Sequence, residues 1–278
     1  VTEGGGHRPT TYAIRGGEEG ARRLDLLAQT LGPTTEAFLA SAGIASGMTC
    51  LDMGCGAGHV SRHLATLVGP TGRVVGVDFD PVKLATARTE AERAGLRNVE
   101  YRAADASAWS DPGRFDLVYG RFIVSHLAGR PAFIARLCQA LRPSGTLLLE
   151  DIDFSGCFCY PANAAYSRYC ELYVQVIARR GGDANVGAKL YGLCLDAGLE
   201  DVHAALVQPT HCVCVPEKAL SLSTMINIAD SVLAEGLASE EEVRATIAEL
   251  TAFTEDPRTT VACPRIFQVR ARKAAVGH

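Results

Sequence analysis

From Met48 onward, short apolar runs alternate with stretches in which apolar residues recur every three or four positions. "MTCLDM", "RVVGVDF", "NVEYRAAD", "FDLVYGRF" and "TLLLEDID" are too short and too continuously apolar for amphipathic helices and read as five strands. Between them, "AGHVSRHLATLV", "DPVKLATARTEAERAG" and "RPAFIARLCQALRPSG" carry helical spacing. In the second of these, Asp80 is placed as the N-cap and Pro81 as the first helical residue. Strands alternating with helices imply right-handed crossovers and a parallel, doubly wound sheet. Strands without a polar face imply helices on both sides of it.

The flanks break this rhythm. Residues 1–17 are glycine-rich, Leu24, Leu27 and Leu31 predict a helix from Glu18 to Leu31, and "LGP" predicts its end before a second short helix reaching about Ala42. After the fifth strand come two helical stretches, "ANAAYSRYCELYVQVIARRGG" and "NVGAKLYGLCLDAGL". A sixth strand, "EDVHAALVQP", a helical pair broken near Gly236, and a seventh strand, "RIFQVRARK", complete the chain. The expected fold is α/β: a mostly parallel, seven-stranded, doubly wound sheet with helical cap insertions. Residues 1–46 form an N-terminal helical lid, 47–153 the core and 154–184 a cap insertion. Residues 185–278 complete the sheet and carry a further insertion at about 217–256.

At 278 residues and 47% hydrophobic, the chain can bury a large core. A net charge of −4 without a basic tract argues against a nucleic-acid partner. No apolar run approaches the ~20 residues of a membrane span, and "VTEGGGHRPT" lacks an apolar signal region, so a cytoplasmic protein is expected. Most of the ten cysteines lie in apolar runs, as buried reduced thiols do. The C-x-C pairs Cys157/Cys159 and Cys212/Cys214 do not have zinc spacing, and no metal is expected.

The chemistry concentrates after the first strand. "GCGAG" places Gly54, Gly56 and Gly58 at the carboxyl end of that strand, where doubly wound sheets bind ligands. Bare backbone there turns sharply and touches a ligand, and the next helix offers free N–H groups to an anionic group. The spacing is not the G-x-G-x-x-G of dinucleotide sites, and the G-K-[ST] of a phosphate loop is missing. Asp78 then Phe79 close the second strand, Asp105 then Ala106 the third, and Asp52 lies in the first. One such acid reads as a cap; three in register with a glycine loop favour a ligand.

"LDMGCGAG", "VVGVDFD", "YRAADA", "FDLVYGRFIVSHL" and "LRPSGTLLLEDID" resemble, in order and spacing, the motifs of class I S-adenosylmethionine (SAM) dependent methyltransferases. Over residues 47 to 153 the arrangement looks most like bacterial small-molecule methyltransferases related to the ubiquinone and menaquinone C-methylating enzymes. The resemblance implies a Rossmann-like fold, SAM as cofactor and S-adenosylhomocysteine (SAH) as product. It implies that Asp52 reaches the methionine amino group through water and that Gly54, Gly56 and Gly58 bring backbone to the cofactor. By the same resemblance Asp78 holds the ribose, Phe79 packs on adenine, and Asp105 with the backbone of Ala106 reads adenine. The backbone at Arg121 meets the methionine ammonium, and Tyr12 belongs to a lid over the cofactor.

A sulfonium methyl is already activated, so alignment supplies most of the acceleration and no catalytic signature is obligatory. His126, after the fourth strand, and Glu150, in the fifth, are the candidate proton acceptors or orienting groups. Phe154, Phe158, Tyr166, Tyr169 and Tyr173 crowd one segment, with the three tyrosines on one helix face. Over the cofactor mouth that face suits a flat or apolar small molecule. Its alternative uses are the cap's own core or a homodimer interface. The rival functions are a non-methylating SAM enzyme such as a cyclase, a non-catalytic SAM-binding protein and an NAD-dependent oxidoreductase.

Overall fold

The computed structural model describes residues 17–212 and 215–275. Five parallel strands form the expected core: β1 (Thr49–Met53), β2 (Arg73–Asp78), β3 (Val99–Ala103), β4 (Phe115–Arg121) and β5 (Leu141–Asp153). Helix α1 (Gly17–Ser41) precedes them, and α2 (His59–Val68), α3 (Pro81–Arg93) and α4 (Arg130–Ala140) cross between them. Then follow β6 (Cys159–Tyr160), α5 (Ala164–Arg179), α6 (Leu190–Asp196), β7 (Glu200–Val207) and β8 (Thr210–His211). Helices α7 (Leu220–Ala234) and α8 (Glu240–Glu255) and strands β9 (Thr260–Ala262) and β10 (Arg265–Arg272) end the chain. The main sheet has the order β3-β2-β1-β4-β5-β10-β7, with β10 antiparallel to both neighbours. Its strand order reverses between β1 and β4, which opens a crevice at their carboxyl ends.

Both faces of the sheet are covered, which explains the apolar strands. Leu51, Val75, Val118 and Leu149 pack with Phe133 and Leu137 of α4. Their alternates Cys50, Val74, Leu117 and Leu148 pack with Leu39 and Leu64 on the other face. Asp80 caps α3, its side chain accepting from the N–H groups of Val82 (2.9 Å) and Lys83 (3.4 Å), with Pro81 at the first turn. The break between α7 and α8 falls at Gly236, whose φ of 63° suits glycine.

Two expectations are corrected. The proline at 33 does not divide the first helix: α1 runs unbroken from Gly17 to Ser41. Leu31, Thr35, Phe38 and Leu39 are all buried across the proline, so packing of that face outweighs the one backbone bond Pro33 cannot donate. A second, three-stranded sheet, β6-β9-β8, also forms in the cap. Its strands are two or three residues long, too short to leave an alternating pattern. Helices α5, α7 and α8 share one apolar cluster, and α1 packs on α7. Among the described residues no helix is long and apolar enough to cross a membrane.

Candidate functional site

A cavity of about 870 Å³ opens at the carboxyl ends of β1, β2 and β4 and extends beneath α1, α5 and α7. The glycine loop forms part of its floor. Gly54, Gly56 and Gly58 have φ of 77°, 53° and 75°, which L side chains rarely adopt. A Cβ on Gly54 would stand 2.9 Å from Cδ1 of Ile123, and one on Gly58 would stand 2.5 Å from Oη of Tyr101. Nothing lies within 4 Å of the corresponding point at Gly56, which faces the cavity. Gly54 and Gly56 line the cavity, whereas Gly58 lies behind the wall, where its bareness serves packing. Backbone N–H groups of Gly54 (2.7 Å) and Cys55 (3.0 Å) donate to the Val77 carbonyl and tie the loop to β2.

The acidic residues converge on this loop. Asp78 accepts from the N–H of Gly56 at Oδ2 and from the N–H of Asp80 at Oδ1, both at 2.9 Å. Each oxygen keeps a second lone pair for a ligand. Asp52 is buried, accepts from the Ser61 hydroxyl at 2.5 Å, and lines the cavity. Burial pushes its carboxyl up to about 6, against the pull of Arg121. Phe79 is 55% exposed, an apolar ring facing the cavity, with Lys83 Nζ 5.7 Å from its centroid. Asp105 accepts from the N–H of Ser107 at 2.7 Å, and Asp105 and Ala106 line the same end. Arg121 lines the cavity too and donates from Nη1 to Thr35 Oγ1 at 3.1 Å.

The two candidate catalytic side chains separate. His126 follows β4 on a short turn and faces the cavity. Burial, then the cations Arg23, Lys83 and Arg180, push its imidazole down to about 3, so it is neutral at neutral pH. Glu150 does not line the cavity, contrary to expectation. In the sheet register Arg121, Glu150 and Gln268 stand side by side on β4, β5 and β10, on the face covered by α1. Glu150 is 1% exposed and accepts from Thr35 Oγ1 (2.9 Å), Gln268 Nε2 (2.8 Å) and the Tyr119 hydroxyl. It joins the sheet to α1 beneath the cavity floor.

The aromatic cluster also divides. Phe154, Tyr169 and Tyr173 line the cavity, and the rings of Phe154 and Tyr173 stack at 4.2 Å with 7° between planes. Tyr166 is core: it is buried and its hydroxyl donates to the Ala262 carbonyl at 2.7 Å. Phe158 is exposed and off the cavity wall. Tyr12 lies outside the described residues. Arg23 and Thr224, 201 positions apart, meet on the cavity wall through a 3.1 Å bond from Arg23 Nε, and neither was singled out from sequence. Arg23 sits one residue before the apolar spacing of α1, and that adjacency was the one signal available. Among the described residues no group of three or more His, Cys, Asp or Glu side chains forms a metal cage.

The glycine loop, tied to the strand-end Asp78, thus sits at the switch point of this strand order, where doubly wound sheets bind ligands. Residues 44–180 match the methyltransferase-domain family. The chain is 37% identical over 109 residues to the ubiquinone biosynthesis O-methyltransferase of Methylobacterium sp. (strain 4-46), covering 39% of this chain and 42% of that protein. It is 41% identical over 103 residues to the nocamycin O-methyltransferase of Saccharothrix syringae, covering 36% of each. The chain thus spans less than half the length of these two curated relatives. The fold is similar to that of Haemonchus contortus phosphoethanolamine N-methyltransferase 2 solved with SAM (TM-score 0.57, 16% identity), covering 90% of this chain and 56% of that one.

Proposed function

We propose that the protein transfers the methyl group of SAM to a small molecule with a flat or apolar body. The observation that carries this reading is the glycine loop held on Asp78 inside a cavity that continues under an aromatic cap. The residues present suit the cofactor: open space at Gly56, free lone pairs on Asp78, an exposed ring at Phe79 and a carboxylate at Asp105. In this reading Asp78 holds the ribose hydroxyls, Phe79 and Ala106 cover adenine, and Asp105 accepts from its amino group. Asp52 and the backbone at Arg121 hold the ammonium of the methionine portion. SAM supplies an electrophilic methyl, which an acceptor's lone pair takes as the thioether leaves. The protein's own work is to orient the acceptor between Phe154, Tyr173 and His126 and to exclude water.

The test is incubation with SAM and a panel of small aromatic acceptors, read by mass. A product heavier by one CH₂, with SAH released in equal amount, is expected. Conversion without a mass change would point instead to a non-methylating enzyme.

Asp52 makes the cofactor site sensitive to pH. Its carboxyl, raised to about 6 by burial, is flanked by Arg121 and Asp78, which act in opposite directions. A carboxyl loses its charge as pH falls through its pKa, so Asp52 meets the ammonium as an anion only above that value. SAM affinity is therefore expected to be level near neutrality and to fall below pH 6 by up to about tenfold per pH unit. Calorimetry between about pH 7.5 and about pH 5 checks this, and Asp52→Asn should weaken binding and flatten the profile.

A further inference from the structure

The cavity wall carries arginines to which the proposed cofactor binding assigns no role. Arg23 lines the cavity from α1 and Arg180 from the end of α5. The carboxylates on the cavity wall, Asp52, Asp78 and Asp105, belong to the strand ends of the cofactor half. Arg23 is 8% exposed. Its Nε–H donates to Thr224 Oγ1 at 3.1 Å, and the Thr224 hydroxyl donates onward to the Leu220 carbonyl at 2.7 Å. That chain fixes the plane of the guanidinium. Among the described residues, Thr224 is the one hydrogen-bond partner of Arg23, and no carboxylate lies within ion-pair distance of it. A buried guanidinium is costly unless its charge is met, and its two terminal nitrogens form a fork that fits a carboxylate. On the wall of the same cavity, the rings of Phe154 and Tyr173 stack on each other.

We infer that the methyl acceptor is a carboxylic acid whose carboxylate is held by the terminal nitrogens of Arg23 and whose apolar body lies against Phe154 and Tyr173. The inference rests on the methyltransferase reading and gives its substrate class. An anion in this position also bears on His126, which Arg23, Lys83 and Arg180 help to hold neutral. A carboxylate bound nearby opposes that field and raises the proton affinity of the imidazole where an acceptor's proton would leave.

The experiment uses the full chain saturated with SAH and titrates it with matched probes: 3-phenylpropanoate and cinnamate against their primary amides. Each acid is expected to bind more tightly than its amide by about tenfold or more, the scale of a charge-assisted pair. Arg23→Met should abolish that preference with SAH affinity unchanged. Arg23→Lys, which keeps the charge and loses the fork, should retain part of it. Thr224→Val keeps the guanidinium but releases its anchor and should reduce the preference as well, which covers the case of an unstable Arg23→Met. Equal affinity of acids and amides in the wild type would overturn the inference. So would an Arg23→Met variant that loses SAH affinity and keeps the acid preference, because Arg23 would then serve the cofactor's own carboxylate. Failure of the folded wild type to bind SAH at all would overturn the methyltransferase reading itself, and this inference with it.

Discussion

Glu150→Ala is expected to unfold at a markedly lower temperature than the wild type, by roughly 6–12 °C, on the scale of ~3 kcal/mol for a protein of this size. The carboxylate accepts from Thr35, Gln268 and Tyr119, and all three donors are buried. Removing it strands them together, and each unsatisfied buried donor costs about 1–3 kcal/mol before any water enters. The effect should reach α1, because Thr35 also accepts from Arg121 and Gln268 also donates to the Thr34 carbonyl at 3.1 Å. Glu150→Gln keeps one acceptor oxygen and should fall between the two. Thermal unfolding followed by circular dichroism checks this. A variant as stable as the wild type but without activity would return Glu150 to a catalytic role.

Asp78→Ala is expected to lower SAM affinity by roughly 100-fold or more while leaving the sheet folded. The substitution removes the acceptor for the Gly56 and Asp80 N–H groups and, with it, the acceptor proposed for the ribose hydroxyls. Two hydrogen bonds to a charged group at about 1.5–3 kcal/mol each set the scale. Asp78→Asn retains one acceptor oxygen and should lose less. A variant that binds SAM as well as the wild type would show that the ribose lies elsewhere.

The parallel core was legible because its signals are local. A strand buried on both faces is an apolar run, and Asp80 before Pro81 marks a helix start whatever the chain does elsewhere. The glycine loop was legible for the same reason, although its three glycines have different duties: Gly56 faces the cavity, whereas Gly58 makes room for Tyr101. What local pattern does not carry is direction. The fifth strand offers Glu150 as a candidate, but the face on which it stands shows only in its register with Arg121 and Gln268. Tyr166 and Tyr173 share a helical stripe, yet the first bonds Ala262 in the core and the second meets the cavity. Pro33 signals a helix end in isolation, and only the burial of Leu31, Thr35 and Leu39 reveals why the helix continues. The pairing of Arg23 with Thr224 joins opposite ends of the chain and leaves no trace in either segment.

We propose that the cavity at the switch point binds SAM through the glycine loop and Asp78. The most direct test is calorimetric titration of the purified protein with SAM and, separately, with SAH, with Asp78→Ala as the control. One site per chain of micromolar-range affinity, roughly −8 kcal/mol, for both ligands in the wild type and lost in the variant, is the predicted result. If well-folded wild-type protein binds neither ligand, the cavity is not a SAM site.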